Sequence, residues 1–221
     1  MARKPASRGR ARRPGGTPRA RPKGIYAHAR YREKTQDIIR SAGEVFRRKG
    51  YRGATMEEIA AQLRMTKGNL YYYFANKEEI LYTCHRRSLE IGFKALETAR
   101  ESNKPADERL RMLLRDYIRG LTDELRGSVI LLEEGALSRE HFRKIVRLRD
   151  TYERGLRELI EDGIKEGRFT DATPKIEGFV ILGAVNWISK WYSPNGELSS
   201  EAIADMFAER LVRGLLRATA P

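Results

Sequence analysis

From Thr55 to Leu81 the chain reads TMEEIAAQLRMTKGNLYYYFANKEEIL, a stretch crowded with hydroxyls, cations, amides and phenols. Groups of these kinds bind phosphate oxygens and base edges. Their spacing decides which of them point outward. Thr55-x-x-Glu58 is a capping box, in which each side chain satisfies an orphan N–H of a first helical turn. Ile59, Ala60 and Leu63 follow as an apolar face, and Arg64 and Met65 make a turn. Thr66 is the next N-cap, and Lys67 to Phe74 give about two turns of helix with Leu70 and Phe74 facing inward. Lys67, Asn69, Tyr71 and Tyr72 are left on the outer side, and Gly68 among them permits close approach. Asn76-x-x-Glu79 opens a third helix. Two short helices across a tight turn form a helix-turn-helix, whose second helix enters the major groove. Phosphate contacts are expected from Thr55, Tyr71 and Lys77, and base-edge or sugar contacts from Lys67, Asn69 and Tyr72; Arg64 and Thr66 complete the expected DNA-binding set.

A second group of chemically capable residues lies near the C-terminus, in Asn186-Trp187-x-x-Lys190-Trp191-Tyr192. Asn186 and Lys190 are four apart and could aim a hydrogen bonder and a cation into one cavity. Trp187 and Trp191 share a helix face, as cavity lining or as packing. Arg143, Lys144, Arg147 and Arg149 could hold phosphates or form a solvated face, and Arg149 has competing partners in Asp150 and Glu153. Phe93, Tyr117, Arg147, Arg149, Tyr152, Asn186, Trp187, Lys190 and Trp191 make up the expected ligand-binding set.

Catalysis is excluded by what the pattern lacks. There is no nucleophile elbow, P-loop or dinucleotide glycine fingerprint. Glu133-Glu134 and Glu161-Asp162 are sequence neighbours, which on a helix point apart. The single Cys84 forbids an internal disulfide, and His28, His85 and His141 do not have ligand spacing, so no metal or other required cofactor is expected. No run of about 18 apolar residues and no secretory h-region occur, which points to a cytoplasmic protein.

The elements needed to position these groups are all helical. Expected helices run from Tyr31 to Lys49 (stopped by Gly50), across the two short helices, from Lys77 to Arg100, Pro105 to Leu125, Ser128 to Leu137, Ser138 to Gly167, Pro174 to Tyr192 and Ser199 to Arg217. That is an all-α fold of about nine helices. It divides into a basic disordered arm (1–28), a DNA-binding domain (29–82) and a helical ligand-binding and dimerisation domain (83–221). The helix from Pro174 is apolar nearly all round, so one chain cannot cover it, and a homodimer through the last two helices is expected. The net charge is +14, and nine of the basic residues lie in residues 1–24 with no acid among them. Such an arm adds phosphate or minor-groove contacts that raise affinity and salt sensitivity more than specificity.

The run from Arg64 to Ile80 resembles the TetR family of bacterial one-component transcriptional regulators, in which a pattern close to G-V-S-K-G-x-L-Y-x-Y-F-x-x-K-x-x-L stands at this place. Ile38, Ala42, Phe46, Gly50, Tyr51, Thr55, Ile59 and Ala60 match the family's preceding helices. Arg64 departs from the pattern, standing where the family usually has a left-handed glycine; tolerance at a modest strain cost is expected. The resemblance implies a repressor that binds a near-palindromic operator as a dimer and is released by a small effector that shifts the helix from Lys77. The stretches around Leu148–Glu153, Glu166–Phe169 and Asn186–Gly196 are similar to a subgroup that responds to acyl-coenzyme A thioesters and controls fatty-acid, aromatic or sterol catabolism. The rival expectation is a multidrug-sensing repressor of an efflux gene, whose pocket would hold buried acids with aromatics.

Overall fold

The computed structural model describes residues 25–125 and 135–217; the arm residues 1–24, the stretch 126–134 with Glu133 and Glu134, and 218–221 lie outside the described residues. Among the described residues eight α-helices follow one another: α1 (Ile25–Gly53), α2 (Met56–Gln62), α3 (Lys67–Tyr73), α4 (Lys77–Glu101), α5 (Ala106–Arg119), α6 (Arg139–Lys165), α7 (Pro174–Trp191) and α8 (Ser200–Arg213). The helix expected over 128–137 falls mostly outside the described residues, and its last residues form a turn with Gly135 at φ 75°.

Helix ends follow local chemistry. Thr66, Asn76, Ser138 and Ser199 each accept a backbone N–H of their own first turn, at Asn69, Glu79, His141 and Ala202. Gly50 takes φ 71° and ψ 165°, which breaks the helical path where a stop was expected, although a further turn runs on to Gly53. At the other end α1 begins at Ile25, inside the expected arm. The helix expected to reach Leu125 instead leaves α geometry after Arg119 and widens into a π-helical turn, Gly120–Glu124. Gly120 is pressed against Ile91, where a Cβ would lie 2.3 Å from its Cγ2, and the Thr122 hydroxyl meets Ser200 Oγ at 2.6 Å. These contacts fix the turn against α4 and the start of α8.

Helices α1 to α3 close around Ile38, Phe46, Ile59, Leu70 and Phe74, all buried. Burying a side chain such as Leu70 stabilises by about 2 kcal/mol. The body closes around Leu110, Leu113, Ile118, Leu156 and Ile160. Helix α4 belongs to both units: Ile80, Leu81 and Cys84 face the head, and Leu96 and Ala99 face the body. Beyond α6, Phe169 lies flat on the bare surface of Gly163, where a Cβ would fall 2.1 Å from its Cδ2. Below it, Asp107 accepts hydrogen bonds from Arg111 and Arg168, both at 2.7 Å. Arg168 foremost, with Arg111, holds the Asp107 carboxyl down at about 2. No helix among the described residues is long and apolar enough to cross a membrane.

Candidate DNA interface and effector cavity

The head is built by its caps. Thr55 and Glu58 form the reciprocal box that starts α2. The chain then turns through Arg64 at φ 52°, the one non-glycine residue with positive φ among the described residues. Arg64 therefore takes the left-handed conformation itself, at a cost of about 1 kcal/mol, and leaves the turn in its glycine-like shape. On α3, Leu70 is fully buried, while Thr66, Lys67, Gly68, Asn69 and Tyr71 are exposed along one side. A Cβ built at Gly68 meets nothing within 4 Å. The chain's own packing thus does not require glycine there. Lys67 Nζ is paired with Glu57 on α2 and lies 5.7 Å from the Tyr71 ring. Tyr72 is half-buried, edge-on to Tyr31 at 6.1 Å and to Tyr73 at 5.1 Å, so it also anchors α1 to α3.

Lys77 is engaged within the head. Placed by sequence as a phosphate contact, its ammonium donates to the carbonyls of Tyr51, Arg52 and Ala54 at 2.9, 3.3 and 3.0 Å and lies 4.5 Å over the Tyr51 ring. The end of α1 leaves carbonyls without helical partners, and Lys77 satisfies them. Next to it, Glu78 Oε1 accepts the backbone N–H of Ser138 at 2.8 Å and lies 2.9 Å from His141 Nδ1, while the His141 ring stacks on Tyr82 at 4.1 Å. The first turn of α4 is thereby fastened to the head on one side and to the first turn of α6 on the other. A further link joins Arg47 of α1 to the Tyr192 carbonyl at the end of α7, at 2.8 Å.

In the body, α4, α5, α6 and α7 line a half-open cavity of about 540 Å³. Of the expected ligand set, Tyr117, Arg149, Tyr152 and Asn186 line it together. Phe93 and Arg147 do not. They lie in a separate groove between α4 and α6 with Tyr82, Arg86 and Lys144, although the Phe93 ring meets Tyr152 edge-on at 5.7 Å. Trp187, Lys190 and Trp191 of that set also stand outside the cavity lining. On α7 the cavity takes the stripe Lys175, Phe179, Leu182 and Asn186; Trp187 faces outward with 61% of its surface exposed, and Trp191 leans on Phe207. Lys190 lies one turn past Asn186, exposed and beyond the cavity's end. Arg143 and Lys144 are tied locally, to the Arg139 carbonyl and to Glu140.

The cavity has two chemistries. Its cations are Arg149, Arg154, Arg157 and Lys175, and its acids Asp150 and Glu153. Arg157 pairs with Glu153 at 3.4 Å, but Arg149 pairs with neither Asp150 nor Glu153 among the described residues. Deeper, His85, Tyr117 and Tyr152 are nearly inaccessible, at 4%, 5% and 3% exposure. Burial, with the Arg149 charge second, pulls His85 down to about 3, so its imidazole is neutral at physiological pH. Burial likewise raises Tyr117 and Tyr152, which stay protonated. His85 Nε2, Tyr152 Oη and Glu153 Oε1 have no hydrogen-bond partner among the described residues. His85, Glu153, Arg154 and Lys175 were absent from the sequence-derived set. The signal for Lys175 and Phe179 was their i, i+4 register with Leu182 and Asn186; for His85 there was none, since burial and not spacing singles it out.

Comparison with known proteins agrees with this architecture at both ends of the chain. Residues 38–83 match the family described as bacterial regulatory proteins, tetR family, and residues 103–215 match the tetracyclin repressor-like C-terminal domain. The chain is similar to the fatty acid metabolism regulator protein of Bacillus subtilis, with 24% identity over 83% of this chain and 96% of that one. It is similar to the transcriptional repressor KstR2 of Mycobacterium tuberculosis, with 23% identity over 82% and 92%. Among solved structures it resembles AibR in complex with isovaleryl coenzyme A and operator DNA, at 30% identity and a TM-score of 0.66, covering 83% of this chain and 98% of that one. With a matched helix-turn-helix at one end and a matched repressor domain over half its length at the other, the chain belongs to the TetR family and is a DNA-binding transcriptional regulator, not an enzyme.

Proposed function

We propose that the protein is a dimeric repressor of the cytoplasm whose α3 reads a near-palindromic operator and whose cavity accepts an acyl-coenzyme A thioester. The observation that carries this reading is the cavity's polarity: four cations outnumber two acids in its lining, and the buried His85 imidazole and Tyr117 phenol among them are neutral. An effector with a polyanionic part and an uncharged acyl part suits both regions. The likeness to AibR, which binds isovaleryl coenzyme A, supports the same effector class. Genes of fatty-acid, aromatic or sterol catabolism are the targets this effector implies. No cofactor is required for either step.

On DNA, Lys67, Asn69, Tyr71, Thr66 and Thr55 are the proposed contacts, with Gly68 admitting the backbone of the duplex and Arg64 touching phosphate. Tyr72 contributes mainly by holding α3 on α1. Dimerisation uses the outer stripe of α7 (Ile176, Val180, Trp187 and Trp191) together with Met206 of α8, all exposed in the single chain. An effector between α6 and α7 displaces α6, and the Glu78 clasp carries that displacement to α4 and the head. Release follows only if the effector binds the two arrangements with different affinity.

One observation favours the drug-sensing alternative. Glu153 Oε1 is buried without a partner beside Tyr152 and Phe179, which would suit a cationic aromatic ligand. The deciding experiment loads the protein on DNA from upstream of its own gene and adds acyl-coenzyme A thioesters, their free acids, coenzyme A and cationic drugs. Release by thioesters alone is expected. Release by drugs, or by nothing in the panel, overturns the thioester reading and leaves DNA binding intact.

A further inference from the structure

The deep end of the cavity holds polar atoms that the protein leaves unused. His85 Nε2 and Tyr152 Oη belong to side chains more than nine-tenths buried, line the cavity, and have no hydrogen-bond partner among the described residues. Each such atom costs about 1–3 kcal/mol when left dry. Two of them in the lining of one cavity, from α4 and α6, are a liability that an apolar lining would have avoided, since phenylalanine fills much the same space in either position. Their surroundings do not explain them as packing: Tyr152 is already held by its ring against Tyr117 at 5.4 Å and Phe93 at 5.7 Å, contacts that use no oxygen.

Resting on the effector reading above, we propose that the buried part of the effector is not a plain hydrocarbon but carries an uncharged oxygen function, a hydroxyl or a ketone, that hydrogen-bonds to His85 and Tyr152. A carboxylate suits this depth poorly, because the neutral imidazole and the phenol add no counter-charge to that of Arg149. Arg149, Arg154 and Lys175 are the lining cations able to receive an anion. Glu153 Oε1, near Gly178 of α7, is an acceptor that a hydroxyl could use and a ketone could not. The site therefore discriminates by leaving its own groups unpaired when the wrong acyl chain enters. Rejection of that kind is stronger than any an apolar pocket achieves over a single methylene.

The test uses the full chain and matched pairs of medium-chain acyl compounds, saturated against hydroxy- or oxo-substituted, each as coenzyme A thioester and as free acid, with affinity read by calorimetry. The oxygenated member of at least one pair binds tighter by about tenfold or more. Tyr152→Phe and His85→Phe bring that ratio close to one, while the melting temperature of the empty protein at neutral pH stays level or rises. Saturated thioesters binding as well as every oxygenated one overturn this inference and leave the thioester reading standing. Oxygenated free acids binding selectively while thioesters fail overturn the thioester reading and support this inference. A ratio unchanged in both variants, or variants that melt well below the parent, assigns His85 and Tyr152 to the framework and overturns the proposal.

Discussion

Arg64 shows how a single residue can carry a fold requirement against its own preference. Its φ of 52° is a conformation that side chains disfavour, and no hydrogen bond of its side chain offsets it among the described residues. Arg64→Gly is expected to raise stability by at most about 0.5 kcal/mol in denaturant titration, the strain relief slightly outweighing glycine's greater unfolded entropy. A fall in operator affinity in the same variant would show that the guanidinium reaches phosphate as well. His85 makes a second residue-scale prediction, with its sign set by burial. Its folded pKa of about 3 lies below the ordinary 6.5, so the unfolded chain takes up the proton first. Stability is complete above 6.5 and falls as the pH drops toward 3, by about 2 kcal/mol at about pH 5. Melting curves across that range should flatten in His85→Phe, and an unchanged slope would mean that His85 gains a proton in the folded state.

At the scale of elements, the junctions matter more than the helices. Lys77→Met should cost about 1–3 kcal/mol, because three carbonyls at and just past the end of α1 lose their donor. The loss should appear as faster hydrogen exchange in α1 to α3, with the body unaffected; equal loosening of both units would mean that the head does not depend on this cap. Helix α7 gives a complementary test. Trp187→Glu puts a charge on its exposed stripe and should yield monomers in sedimentation without unfolding the chain, whereas a persisting dimer would move the interface elsewhere. Much of this was legible in the sequence. Capping residues and helical periodicity are local signals, and they located α2, α3, α4, α6 and α7 nearly to the residue. The capping role of Lys77 was not legible because its partners lie in and just beyond another helix, and spacing says nothing about those. That Trp187 and Lys190 stand outside the cavity lining was not legible for a related reason: a helix apolar all round offers no periodicity from which to tell one of its faces from another. The π-helical turn after Arg119 depends on Ile91 and Ser200, which are equally remote in sequence.

For the whole molecule, charge is the property that sets binding strength. Nine of the basic residues precede the described helices, in a net charge of +14. Removing residues 2–24 should weaken operator binding at low salt and shallow its salt dependence by about 0.9 logarithmic units for each phosphate that the arm neutralises. The ratio of operator to unrelated DNA should stay nearly constant, since binding of this kind carries no sequence information. A fall in that ratio would mean that the arm reads a groove. On the reading helix itself the balance is different, because Lys67 is already neutralised by Glu57 of the neighbouring helix. Meeting a phosphate there exchanges one anion for another, and fewer bulk ions are set free than for a bare lysine. Glu57 thus behaves as a tethered stand-in for the nucleic acid, occupying Lys67 on arbitrary duplexes. It yields only where the surrounding contacts fit, so the acid one helix away makes the protein poorer at holding DNA in general and better at leaving the wrong stretch of it.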